Sequence, residues 1–412
     1  MNLILFAIPF FILLIAIELV VDWRRGTGFY RLSDSVSSLN AGIFSRVTVV
    51  FWKLVPVVMY IFVYENWALA ELPINAYTWV IAFICYDFLY YWHHRIGHER
   101  NIFWAAHVVH HSSEEYNLTT ALRQTSGSVI GWIFYLPMAF AGIEPIQVIP
   151  VAALNLLYQF WVHTRHVPKL GWYEKWFITP SNHRVHHAIN DRYIDRNYGG
   201  VFIIWDKMFS TFQEEVDEDP CLYGIRKPLK SWNPVWTNLH FYSQLAHDAW
   251  HTRRWRDKIG IWFARTGWRP DDVAERFPLR KFDIKEYKKF DISVPLSVQL
   301  YALIHLVFTI VILGSYMAAS GSLTMGEILL YGGCIYASCT ALGMILEQRQ
   351  FAVAFEQLRL LLFAVIIMTT MTNPWLKSVS IMVLLASMVM TYYLVPVFKE
   401  SGEENCKVPV NS

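Results

Sequence analysis

"AYTWVIAFICYDFLYYWHHRIGHERNIFWAAHVVHH" occupies residues 76–111. Its first part, 76–92, is an apolar run close to the length that crosses a bilayer as a helix, about 20 residues with roughly 17 tolerated. Its second part carries His93, His94, His98, His107, His110 and His111. The apolar run stops where the imidazoles start, so a membrane segment delivers a histidine cluster to its own edge. The expected fold is all-α: a polytopic helical membrane protein with a histidine-rich cap.

The rest of the chain agrees with this setting. Its 412 residues are 55% hydrophobic and 17% charged, below the quarter charged that soluble domains usually carry. Eighteen Trp and 22 Tyr suit aromatic belts at a membrane surface. A net charge of +2 without a dense basic block offers nucleic acid no footing. Cys85, Cys221, Cys334, Cys339 and Cys406 stand singly, which excludes a disulfide framework, a zinc knuckle or an iron–sulfur ligand set. The N-terminal "MNLILFAIPFFILLIAIELVVDWRR" lacks a basic leader and a small-residue cleavage site. It reads as a membrane anchor with its N-terminus outside.

Spans are expected at 2–21, 47–64, 76–92, 127–142 and 146–162. A polar stretch follows, and then further spans at 297–319, 325–346, 360–372 and 378–397. The connections alternate in charge. Loop 22–46 holds Arg24, Arg25, Arg31 and Arg46, whereas "ENWALAELPIN" at 65–75 holds no Lys or Arg. Loop 93–126 and the 163–296 region are basic again, and Lys377 alone breaks the pattern. The positive-inside rule puts the basic connections, and with them the histidines, on the cytosolic face. Three regions are expected: a membrane module with histidine boxes at 1–215, a cytosolic or interfacial helical segment at 216–294, and a C-terminal transmembrane helical bundle at 295–412. The middle segment, charged and rich in Trp, is an amphipathic interfacial helix or an ordinary cytosolic subdomain.

Eight of the 15 histidines fall into three boxes. "HRIGH" holds His94 and His98, "HVVHH" holds His107, His110 and His111, and "HRVHH" holds His183, His186 and His187. Residues three or four apart share a helix face, so each box can aim its rings at one point. A lone histidine is ordinarily a satisfied core or surface residue. His93, His240, His247, His251 and His305 are read that way. A repeated HxxHH beside a third box is not explained by solvation. Neutral imidazole is the commonest metal ligand. Eight imidazoles exceed one zinc site and fit two metals with about four ligands each. Ligand type alone admits copper; two irons with positions open to O2 suit a site at the lipid interface better. His163 closes the fifth apolar run at the same level and is a ninth candidate, with His166 one turn beyond it. Asp87, two turns before His94, needs a partner that a ligand imidazole would supply. Glu99 and Asn182 adjoin the boxes, and Asp191, Asp195 and Asn197 follow the third. Capping or turn roles compete for each of these.

At these residues the sequence resembles the fatty acid hydroxylase/sterol desaturase superfamily of membrane di-iron enzymes. Three blocks carry the likeness: "YDFLYYWHHRIGHERNIFWAAHVVHHSSEEYNLTTALRQT", "YQFWVHTRHV" and "SNHRVHHAINDRYIDRNYGGVFIIWDKMFSTF". They look closer to the alkylglycerol monooxygenases than to other branches, over about residues 30–215. The resemblance implies two Fe ions and O2-dependent hydroxylation of a lipid C–H bond. In this branch the carbon is the one beside the ether oxygen, and the product falls apart to a fatty aldehyde and a glycerol derivative. It implies that the eight box histidines and Glu99 are required, and that the external reductant is tetrahydrobiopterin. No cytochrome b5-like or ferredoxin-like domain is visible, so electrons come from outside. The partners are a bilayer lipid, O2 and that donor, in a bacterial plasma membrane or the endoplasmic reticulum. Arg123 and Arg184 are weaker candidates for a head group or donor. A sterol or fatty acid hydroxylase or desaturase is the nearest rival. A metal transporter is a distant one, because transport wants ligands along a path at the midplane.

Overall fold

The computed structural model describes residues 3–52, 54–126, 130–370 and 372–405. Cys406 and the first residues of the 127–142 run lie outside them. Among the described residues there is no β-strand, only single-residue bridges such as Phe177 with Phe202. The chain falls into two compact units, 1–229 with 237–289, and 230–236 with 290–412.

In the first unit, α1 (Leu3–Arg25), α2 (Leu32–Trp52) and α3 (Leu54–Trp67) precede α4 (Ala76–Glu99) and α5 (Asn101–His111). Asn75 starts α4 with a capping box: its side chain accepts from the Thr78 N–H while Thr78 reaches back, satisfying donors the first turn leaves free. Arg100, extended at φ −130°, turns the chain sharply into α5. Short α6 (Leu118–Ala121) and α7 (Leu136–Phe140) lead to α8 (Pro145–Trp161), which packs beside α4. Tyr60, Ala82, Met138, Ile143 and Val151 form a core that joins α3, α4, α7 and α8. The third box lies on α9 (Pro180–His187), an eight-residue helix too short to form by propensity alone. Its start is fixed by Pro180 and by the reciprocal bonds of Thr179 and Asn182. Then come α10 (Ile204–Met208), α11 (Pro234–His251), α12 (Trp255–Phe263) and α13 (Asp271–Arg276).

The second unit is a helical bundle of α14 (Leu296–Ala319), α15 (Met325–Leu346), α16 (Ala352–Thr370) and α17 (Pro374–Asn405), each packed on the next. On α14 the outward residues are apolar, among them Leu300, Leu303, Ile304, Val307 and Val311, and the buried ones include Tyr301, His305 and Thr309. Apolar outside and polar inside is the arrangement a bilayer requires.

Among the described residues three helices are long and apolar enough to cross a membrane: Leu296–Ala319, Met325–Leu346 and Pro374–Tyr393. Leu32–Phe51 and Leu54–Trp67 make a fourth if taken together across a 49° bend. The 47–64 run is therefore split between two helices, with Lys53 outside the described residues. The described part of 127–142 is a 3₁₀ turn and a short helix, Gly131–Phe140, with Pro137 at its second helical start.

Candidate metal centre

The nine histidines singled out above meet in two groups. His94, His98, His107, His111 and His186 form one; His110, His163, His183 and His187 form the other. Within each group one nitrogen per ring lies within 4.8 Å of all the others. The groups adjoin, since the His111 and His187 rings stack with centroids 4.3 Å apart. His93 stays outside, against Tyr135 and Phe134.

The boxes do not each aim at one point, as the i, i+3, i+4 spacing had suggested. Each HxxHH divides. His107 and His111 turn to the first group and His110 to the second; His183 and His187 turn to the second and His186 to the first. Helix geometry explains this. At about 100° per residue, positions i and i+4 are about 40° apart and i+3 falls on the other side by about 60°. A helix wedged between two centres feeds both.

Buried nitrogens need partners, and four of the outward ones have carbonyls. The Nδ1–H groups donate from His94 to Tyr198 O at 2.7 Å, from His186 to Arg196 O at 3.0 Å, from His110 to Arg123 O at 2.9 Å and from His163 to Gln159 O at 2.7 Å. A carbonyl only accepts, so these bonds fix the tautomer and leave each Nε2 with a bare lone pair. His110 Nε2 and His163 Nε2 then face each other at 3.2 Å with no proton to share. Nε2 of His98 and of His186 are buried without a hydrogen-bond partner, and His183 turns its Nε2 to those of His163 and His187 at 3.1 and 3.2 Å. Converging lone pairs call for a cation. Protons are an unfavourable source of one. Burial, and then the repulsion each imidazolium would meet, hold His107, His111, His183, His186 and His187 well below the ordinary imidazole range. Burial holds His110 down to about 4. Neutral imidazoles are the form that binds metal, and this all-nitrogen set fits iron among the metals imidazole suits.

One loop orients much of the first group. Arg196 and Tyr198 supply the two carbonyls just named, and Asp195 Oδ1 stands 3.7 Å from His98 Nδ1. Asp195 and Asn197 hold left-handed φ of 58° and 55°. Asn197 is kept there by bonds to Asn182 O, Gln213 O and the Gln213 N–H. Asp206 accepts from the Tyr198 and Gly199 N–H groups at 2.7 and 2.8 Å. Asp87 has no histidine partner. It accepts from Asn155 Nδ2, the Val201 and Phe202 N–H groups and Trp205 Nε1 at 2.7–3.1 Å, and so pins the far end of the same loop. Gly200 has to be glycine, because an added Cβ would sit 2.9 Å from Asp87 Oδ1 and from Tyr90.

The remaining candidates are placed more plainly. Asn182 caps α9. Glu99 pairs with Arg95 at 2.8 Å and lies in neither group. Arg123 is buried on Ser37, Ser38, Ser112 and Val109 O. Arg184 clasps Glu215 in a bidentate pair. Asp191 pairs with Arg226. His166 lies 3.6 Å from Asp22, outside both groups.

A chain that carries both membrane-length helices and buried histidine boxes has the features of the membrane-bound lipid hydroxylases, and residues 79–211 match the fatty acid hydroxylase family. Over its greater length the chain is similar to particular members. It is 37% identical to the alkylglycerol monooxygenase of Homo sapiens over 381 residues, 91% of this chain and 84% of that one. The Xenopus tropicalis alkylglycerol monooxygenase is 38% identical over 360 residues, 87% and 80% of the two chains. The Danio rerio enzyme is 36% identical over 365 residues, 86% and 80%. The chain belongs to the alkylglycerol monooxygenase family, carries that family's fatty acid hydroxylase domain, and is an enzyme of the monooxygenase class. No solved structure is significantly similar to it.

Proposed function

We propose that the protein hydroxylates the alkyl carbon beside the ether oxygen of an alkylglycerol, using O2 at two irons. The observation that carries the two-metal reading is the division of nine histidines, eight buried and His107 half-buried, into adjoining groups of five and four. The ether-lipid reading rests on the named relatives. The reaction takes up one O2, two electrons and two protons. One oxygen atom enters the C–H bond and the other leaves as water. The resulting hemiacetal breaks its C–O bond to give a fatty aldehyde and a free glycerol hydroxyl. Iron held by the two groups supplies the O2 chemistry.

The chain's own part is geometric. The Nδ1–H bonds to Tyr198, Arg196, Arg123 and Gln159 carbonyls hold the rings so that the inward nitrogens converge, as outer partners do at metal sites generally. Asp87, Asp206 and Asn182 keep the loop and helix that present them. Glu99 holds Arg95, whose Nη1 donates to Tyr91 OH at 3.2 Å, and so steadies the end of α4 under the first box. The packed apolar faces of α4 and α8 are the route for the alkyl chain, since both helices end at candidate ligands. The basic connections support a cytosolic position for the centre. Electrons come from an external donor, with tetrahydrobiopterin the one the family resemblance implies.

The test is product analysis by mass spectrometry, with purified protein, an O-alkylglycerol, O2 and a reduced pterin. A fatty aldehyde and free glycerol in equal amounts is the expected result. A hydroxylated or desaturated lipid with its backbone intact would move the protein to the sterol or fatty acid branch.

A further inference from the structure

We propose that α12 lies in the lipid–water interface and that a groove along it holds the phosphate head of an acidic phospholipid. Residues 250–268, "WHTRRWRDKIGIWFARTGW", carry Arg253, Arg254, Arg256, Lys258 and Arg265 against a single acid, Asp257. The helix has three distinct sides. Ile261 is fully buried against Ala105 of α5 and Leu245 of α11. Trp255, Ile259 and Phe263, spaced i, i+4, i+8, are 79%, 66% and 59% exposed. On a third side Arg254, Arg256, Asp257, Gly260, Ala264 and Trp268 line an open groove of about 480 Å³, two guanidinium groups against one carboxylate.

One exposed apolar residue needs no explanation, but a continuous stripe of large ones does. Trp250 beside it is 81% exposed as well. A Trp-rich stripe with cations along its flank is the pattern of a helix seated at the headgroup level. The groove adds a specific feature. Neither the Arg254 nor the Arg256 guanidinium has a partner among the described residues, and a guanidinium fork matches a phosphate. Gly260 leaves the groove floor open, with nothing within 4 Å of an added Cβ.

This seat bears on the metal centre. Asn101, at the corner between α4 and α5, donates its N–H to Ala264 O at 3.1 Å and its Nδ2 to Ile261 O at 2.8 Å. The Thr266 N–H donates to Glu99 O at 3.1 Å. The end of α12 is thus bonded to the backbone between the first two histidine boxes, so the depth of α12 sets the depth of those boxes at the membrane surface. An acidic protein could meet the same cations, but it would leave the Trp255–Ile259–Phe263 stripe in water.

The test uses the full-length protein in vesicles of phosphatidylcholine, with and without phosphatidylglycerol. A nitroxide is placed on Ile259→Cys and, independently, on Phe263→Cys, and the unsubstituted protein is labelled in parallel as background. Relaxation by O2 should exceed relaxation by a water-soluble nickel chelate several-fold at both positions. Phosphatidylglycerol should deepen both labels, and Arg254→Gln with Arg256→Gln should cancel that change without lowering bound iron. Labels relaxed equally by the chelate would place the helix in water and overturn the proposal, as would slower reduction of the double variant by an acidic donor protein with the labels still wet. Buried labels indifferent to phosphatidylglycerol would overturn the headgroup assignment.

Discussion

The two units each bury a polar cluster among helices, and the clusters are opposites. In the C-terminal bundle, Glu356 and Arg359 form a two-bond ion pair. Arg359 also donates to Ser338 Oγ at 3.0 Å and to His305 Nδ1 at 3.1 Å, and Tyr301 OH donates to Glu356. Donors match acceptors and charge cancels. In the N-terminal unit nine histidines turn ring nitrogens toward one another, and among the described residues no carboxylate or thiol joins either group. The lesson concerns histidine itself. His305 and His163 are both buried at helices of a membrane protein. What separates a structural histidine from a candidate ligand is whether the chain supplies the complement to its inward nitrogen.

The comparison can be broken most severely at the centre. His110→Ala or His186→Ala should abolish lipid oxidation and lower bound iron, measured by aldehyde release and elemental analysis. Full activity in either variant would remove the metal assignment. A milder change separates the two groups. Asp206→Ala frees the Tyr198 and Gly199 N–H groups and loosens the loop that orients His94 and His186. Losing a direct outer partner typically costs about 10–100-fold in metal affinity, and Asp206, one step further out, should cost no more. Iron titration should show one site weakened and one unchanged, because the four-histidine group leans on Arg123 O and Gln159 O instead. Equal weakening of both would refute the division of labour.

In the bundle the same experiments should read differently. Arg359→Met strands the Glu356 carboxylate, and breaking a buried pair from one side costs about 3–5 kcal/mol. Thermal unfolding in detergent should report that loss while iron per folded chain stays at the wild-type value. His305→Phe leaves one Arg359 N–H without its acceptor, for about 1–3 kcal/mol, again with iron unchanged. Loss of iron from folded His305→Phe protein would erase the distinction between the clusters.

Much of this was legible before any coordinates. The box histidines and His163 stand out by type and spacing, and the family likeness rests on the same residues. The splitting of each HxxHH was less visible. The 3.6-residue repeat contains it, but the spacing alone reads as rings aimed at one point, and only packing between two centres reveals two. The orienting loop was nearly invisible, because Arg196 and Tyr198 act through backbone carbonyls and no side-chain type marks them. Asp206 and Gly200 could have been suspected from "NYGGVFIIWD", where a glycine pair and a buried acid follow the third box. Asp87 reads as an acid in need of a partner, but its partners are Asn155, Trp205 and the loop backbone rather than an imidazole. Of the 127–142 run the described part is a 3₁₀ turn and a short helix over Gly131–Phe140, shorter than its apolar composition suggests.

The central claim is that the two histidine groups hold one iron each. It is tested most directly by growing the full-length protein with ⁵⁷Fe, purifying it, and measuring iron per chain with Mössbauer spectra alongside. The account predicts two irons per chain in nitrogen-rich surroundings, with one signal altered first in Asp206→Ala. A fully active protein holding a single iron, or holding zinc or copper in its place, would contradict it.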